Sequence, residues 1–315
     1  MNNNCYYAAI DLGTNSCRLV IADAGGEYLC CENVKTALGE GLHKEMKFTP
    51  EAVKRGVDCL CDFSRKINQY SPCRLRAVAT AGCRMAKNAD DFLNLVKEKA
   101  GIELEVIDGA EEARLNLKGA VSHAQGKAPY VLLYDLGGGS TEITLAENNA
   151  QQRIIYTISI PWGARNASEA FALNDYNEAG ARVLRQEVEN YVDDFICRSE
   201  WEKYRENCCC IATSSNPLRM AAMIAGSGEY DRQAMDGVKM SAEDMDRQIA
   251  AVYVSTEAER AASPYVGQKR ATIFIAACVI FQAIYQKLGL KELTASLKSA
   301  KDGIIEELQE GKWQN

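Results

Sequence analysis

The chain has 315 residues, 47 % hydrophobic and 25 % charged, which leaves apolar material for two cores and excludes global disorder. Its 36 basic and 43 acidic residues give a formal charge of −7, and no basic block forms a nucleic-acid footprint, so duplex DNA or RNA is not expected as a partner. The opening MNNNCYY lacks a leader pattern, and the most apolar stretch, Ala271–Tyr285, is too short for a membrane span and carries Gln282; no membrane partner and a cytoplasmic location are expected.

Tyr6–Ile10, Cys17–Asp23 and Glu27–Val34 are short β-rich runs divided by DLGTNS and Gly25-Gly26, a three-stranded meander. Thr49 before Pro50 predicts an N-cap and first helical residue, and Val53, Val57, Leu60 and Ile67 recur at helical spacing up to Tyr70. A strand at Arg74–Thr80, a helix at Asp90–Ala100, a strand at Glu103–Ile107 and a helix from Ala110 to His123 complete a βββαβαβα order.

After the turn-prone Ala124–Pro129, three strands return at Tyr130–Asp135, Thr141–Glu147 and Arg153–Ile160. Helix Asp175–Ser199, strand Cys208–Ala212, a helix after Pro217, helices at Ala242–Thr256 and Gln268–Leu288, and a terminal helix from Lys301 follow. The expected domains are 1–124 and 125–315, with the terminal helix 301–312 able to pack on the first. A shift of 124 residues superposes Asp11-Leu12-Gly13 on Asp135-Leu136-Gly137, Ser16 on Ser140 and Tyr6 on Tyr130, the mark of two related α/β units.

The thirteen cysteines include Cys30-Cys31, Cys59/Cys61 and Cys208-Cys209-Cys210, but no C-x-x-C pair, beside only two histidines, His43 and His123. Zinc is not expected, and small buried hydrophobes in a reducing compartment are. The 208–210 cluster alone supplies no second ligand pair for an iron–sulfur site.

A strand that ends in Asp-Leu-Gly and turns through small residues exposes N–H and O–H groups around one concavity, an anion-binding nest. Thr14, Asn15 and Ser16 supply one set; Gly138, Gly139, Ser140 and Thr141 supply the other. Asp11 and Asp135 at the strand ends can hold Mg²⁺ directly or through water. Two tight hairpins with capping aspartates are the structural alternative.

AAIDLGTNSCRLVIAD, AVATAGCRMAKNADDFL, VIDGAEEARLNLKGAV and LLYDLGGGSTEITL, in that order, resemble the exopolyphosphatase / guanosine pentaphosphate phosphohydrolase (Ppx/GppA) family in its short two-domain form, strongly over residues 5 to 165. The resemblance implies two α/β domains of the acetate and sugar kinase, heat-shock chaperone and actin superfamily, with a ribonuclease H-like core in each and an active cleft between them. It implies Mg²⁺- or Mn²⁺-dependent hydrolysis of terminal phosphoanhydride bonds in polyphosphate or guanosine pentaphosphate, by a protein that can form a homodimer. Glu112 in E-E-A-R then corresponds to the catalytic base, Glu142 to a second catalytic and metal-holding carboxylate, and Arg84 to a phosphate-binding arginine. Lys87 and Arg18 are weaker candidates.

The resemblance thins later in the chain. The family's Gly-Gly-Thr turn is Ala212-Thr-Ser-Ser-Asn-Pro217 here, its Asp-Gly-Gly-x-Arg-x-Gly segment is Ser296–Gly303, and its Pro-x-Gly-x-x-Arg region is Pro161-Trp-Gly-Ala-Arg-Asn166. A non-catalytic polyphosphate or nucleotide sensor and a small-molecule kinase of the same superfamily are the competing readings.

Overall fold

Alternate residues of the opening run face two different cores, which is why it reads as almost continuously apolar. In a computed structural model, describing residues 5–71, 73–124 and 126–313, β1 spans Tyr6–Leu12. Ala8, Ile10 and Leu12 enter one core and Ala9 the other. Met1–Asn4 and Gln125, within the opening and the linker read from the sequence, lie outside the described residues, as does the side chain of His43.

The chain divides into two compact units: residues up to Gly119 with those from Ala300 onward, and Ala120–Ser299. The short turn Val121–His123 goes with the second unit. The terminal segment counts with the first unit, since an apolar stripe is assigned by what it packs against.

In the first unit, β2 (Cys17–Ala22) and β3 (Tyr28–Val34) continue the meander. After the short helix α1 (Leu42–Glu45) comes α2 (Pro50–Ile67), where Ala52 N donates to Thr49 Oγ1 at 3.2 Å. Then come β4 (Cys73–Ala79), α3 (Ala81–Met85), α4 (Ala89–Ala100), β5 (Glu105–Val106) and α5 (Gly109–Ala120). The sheet order is β3-β2-β1-β4-β5, antiparallel through the meander and parallel from β1 to β5. Leu60 and Phe63 of α2 and Phe92 of α4 pack on one face. Leu115 of α5 packs on the other with Ile304, Ile305 and Leu308 of the C-terminal helix.

The second unit repeats the meander as β6 (Tyr130–Leu136), β7 (Thr141–Glu147) and β8 (Ile154–Ile160). It continues through α6 (Ala164–Ala170), α7 (Glu178–Ser199), β9 (Cys208–Thr213), α8 (Ser215–Ala225), β10 (Lys239–Ser241), α9 (Ala242–Tyr253), α10 (Glu257–Ala262), α11 (Phe274–Lys287) and β11 (Glu292–Ser296). α12 (Ala300–Glu310) then ends the first unit. The order β10-β11-β9-β6-β7-β8 makes a second mixed sheet. Each unit thus carries a mixed sheet with its three-stranded meander at one edge.

Three sequence readings need correction. β11 was missed, because Glu292–Ser296 sits between β9 and β10 with small buried residues and shows no apolar alternation. α8 starts before Pro217, which a first helical turn tolerates for want of an intrahelical bond at that N–H. The helix read from Gln268 begins at Phe274, and α11 is buried almost all round, as expected of a core helix. Among the described residues no helix is long and apolar enough to cross a membrane.

Candidate active site

In the first unit the β1–β2 turn closes by Gly13 N donating to Ser16 O at 3.0 Å. It is buttressed by Ala37 N to Asn15 O (3.0 Å) and Gly39 N to Thr14 O (2.8 Å). A Cβ on Gly39 would lie 2.1 Å from Thr14 Cγ2, and one on Gly82 would lie 3.4 Å from Thr14 Oγ1. Thr14 and Asn15 are therefore held by the Ala37–Gly39 segment, which the sequence reading did not single out.

The second unit copies this turn. Gly137 N donates to Ser140 O at 3.0 Å, and Thr141 Oγ1 donates to Trp162 O at 2.8 Å. The Pro161–Asn166 stretch wraps it: Ala164 N donates to Gly137 O and Arg165 N to Gly138 O, both at 2.9 Å. Asn166 Nδ2 donates to Gly139 O at 3.0 Å and to Pro161 O at 2.9 Å. The buried Arg165 lies against Glu169 at 3.5 Å. What reads in sequence as a mere motif variant is the cradle of the turn that presents Gly138, Gly139, Ser140 and Thr141.

The two hairpins differ in charge. Asp11 stands opposite Arg18 across β1 and β2, and Arg18 Nη1 donates to Asp11 Oδ2 at 2.8 Å. At the same register in the second unit, Asp135 stands opposite Glu142. Like charges directly opposite on one sheet face repel, and both residues are buried. Ser159 Oγ donates to Glu142 Oε1 at 2.8 Å. Two hard carboxylates on one face form an oxygen donor set that suits Mg²⁺ or Mn²⁺, whereas Asp11 already has a cation beside it. Arg18, a weak phosphate candidate in sequence, is this neutralising partner.

Glu112 lies in the first turn of α5 and is buried. Arg84, at the end of α3, donates from Nη1 to Glu112 Oε2 at 2.9 Å and to Ile107 O at 2.8 Å. The predicted base and phosphate-binding arginine thus form one ion pair within the first unit, while Lys87 is exposed. The other members of E-E-A-R point elsewhere. Arg114 Nε donates to Glu111 Oε2 at 2.7 Å, and this pairing, joined by Arg76, holds the Glu111 carboxyl below its ordinary range.

At the β9–α8 junction, Ser214 adopts φ 92° and ψ −169°, a conformation natural to glycine. Its Oγ and both polar atoms of the 4 % exposed Asn216 are buried without a partner among the described residues. The missing glycine was legible in the sequence; the strain and Asn216 were not. Cys208 and Cys210 pack against the core of the second unit.

A model of the Ppx/GppA phosphatase family matches residues 20–310. The chain is similar to an exopolyphosphatase-like protein with a TM-score of 0.91 at 26 % identity, over 98 % of this chain and 100 % of that one. It is also similar in fold to an exopolyphosphatase from Cytophaga hutchinsonii (TM-score 0.85, 24 % identity, 97 % and 98 % covered). A Ppx/GppA family member from Aquifex aeolicus gives 0.78 at 23 % identity, with 98 % and 99 % covered.

Proposed function

Because the chain belongs to the Ppx/GppA phosphatase family, we propose that it hydrolyses the terminal phosphoanhydride bond of inorganic polyphosphate or guanosine pentaphosphate, using a water activated by Glu112. The observation that carries this reading is the buried Glu112 carboxylate held at 2.9 Å by Arg84. Phosphoryl transfer to water needs an in-line nucleophile and a carboxylate to orient it and take its proton. The water oxygen bonds to the terminal phosphorus, its proton passes to Glu112, and the bridging P–O bond breaks to leave a shortened phosphate chain. Arg84 presents a fork of five donors, which serves the Glu112 carboxylate and a phosphate oxygen together. The Thr14–Ser16 and Gly138–Thr141 turns supply N–H and hydroxyl donors to the phosphates.

In this reading Mg²⁺ or Mn²⁺ would be held by Asp135 and Glu142, which stand opposite each other on β6 and β7. When bound, the cation neutralises charge on the non-bridging phosphate oxygens. Ser159 orients Glu142 for that role through the 2.8 Å bond.

One observation favours the rival reading of a non-catalytic sensor: Ser214 keeps glycine's backbone geometry but adds a side chain in a turn where the family carries glycines. Phosphate release from polyphosphate and from guanosine pentaphosphate, measured with Mg²⁺ and with a chelator, separates the two. Glu112→Gln is expected to lower turnover by ~10²- to 10⁴-fold, as loss of a general base does, in protein that circular dichroism shows to be folded. Binding without turnover by the unmodified protein would establish the sensor instead.

A further inference from the structure

We propose that Arg76 and Glu307 are positioning residues that set the direction of Glu112 through the C-terminal helix, an inference that rests on Glu112 being the base. Arg76, 3 % exposed on β4, donates from Nη2 to Glu111 Oε1 and from Nη1 to Glu307 Oε2, both at 2.8 Å. Arg114 bonds the same two carboxylates, with Nη2 at 2.8 Å from Glu111 Oε1 and 3.1 Å from Glu307 Oε2. Glu111 is thus gripped by two guanidinium groups, one of them fixed in the sheet. Consecutive helical residues point about 100° apart at 3.6 residues per turn, so a fixed Glu111 leaves Glu112 one direction, toward Arg84.

α12 is seated closely enough to transmit this. A Cβ on Gly303 would fall 2.1 Å from Leu115 O, so the two helix backbones nearly touch. Ala300 N donates to Asn116 Oδ1 at 2.7 Å, tying the start of α12 to α5. Helix docking alone does not require the buried ions. Apolar contacts from Leu115, Ile304 and Leu308 already join these elements, and a buried ion cluster adds little net stability over apolar side chains. What directional, charge-assisted bonds add is orientation.

An exposed pair between the same helices, Lys118 Nζ to Glu310 Oε2 at 2.9 Å, provides the control. Glu307→Gln keeps the side-chain size and removes the charge. It is expected to lower kcat about 10- to 100-fold, the scale of a small misplacement of a catalytic group. KM should stay within about twofold, since uniform binding is untouched. Hydrogen exchange in residues 110–116 should quicken, Glu307→Asp should recover part of kcat, and Glu310→Gln should change none of these. Wild-type kcat in Glu307→Gln beside an inactive Glu112→Gln would overturn the positioning role alone; full turnover in Glu112→Gln would overturn the base assignment beneath it. If Glu307→Gln does not fold, Glu307→Asp and Arg76→Lys decide by the same kcat-against-KM split.

Discussion

Ser214 is the position where one side chain most visibly opposes its backbone. Its φ of 92° with ψ of −169° lies in a region open essentially to glycine, where strain of ~1–3 kcal/mol is usual. Its hydroxyl makes no cap bond to α8. Ser214→Gly should therefore relieve strain without losing a hydrogen bond, offset by ~0.5–1 kcal/mol of added unfolded-chain freedom. Calorimetry should show a melting temperature a few degrees higher, at the usual ~2–4 °C per kcal/mol for a unit of this size. A lower value would mean that the hydroxyl supports the turn. The residue scale also separates two aspartates that look equivalent in sequence: Arg18 neutralises Asp11, and Glu142 adds to the charge of Asp135.

At the scale of elements, the cradle around the β6–β7 turn depends on one missing side chain. A Cβ on Gly163 would stand 2.5 Å from Gly138 C and Gly139 N and 2.7 Å from Ser140 N. These are backbone atoms and cannot rotate aside, so Gly163→Ala must push α6 away from the turn or bend the turn itself. Both stability and kcat/KM for polyphosphate should fall, the latter by at least ~10-fold, because displaced donors no longer meet the phosphates. Unchanged kinetics would remove Gly138–Thr141 from the binding site. E-E-A-R divides its contacts between adjacent residues: Glu112 pairs with Arg84, whereas Glu111 pairs with Arg114 and Arg76, and Arg114 reaches Glu307 on α12.

Across the whole molecule, thirteen thiols sort by burial rather than by spacing. Cys31 and Cys197 are exposed, while Cys17, Cys59, Cys83 and Cys278 are buried. Burial pushes the Cys83 thiol up to about 12, so at neutral pH it carries almost no thiolate, the reactive form. A thiol reagent added to native protein should label Cys31 and Cys197 first and Cys83 only on unfolding, as mass spectrometry of labelled peptides would show. Labelling of Cys83 as fast as Cys31 would reveal opening of α3 beside the β1–β2 turn.

Local rules made much of this protein legible in advance. The two meanders follow from side-chain alternation and turn residues, the α2 start from Thr49-Pro50, and the two matching hairpin turns from the repeated Asp-Leu-Gly. Period, cap and turn act within a few residues, so a linear sequence displays them. β11 as an inner strand, the Arg84–Glu112 pair and the Pro161–Asn166 cradle join residues far apart along the chain. Only tertiary packing decided these, because each depends on which surface meets which, and a local pattern carries no record of its eventual neighbour.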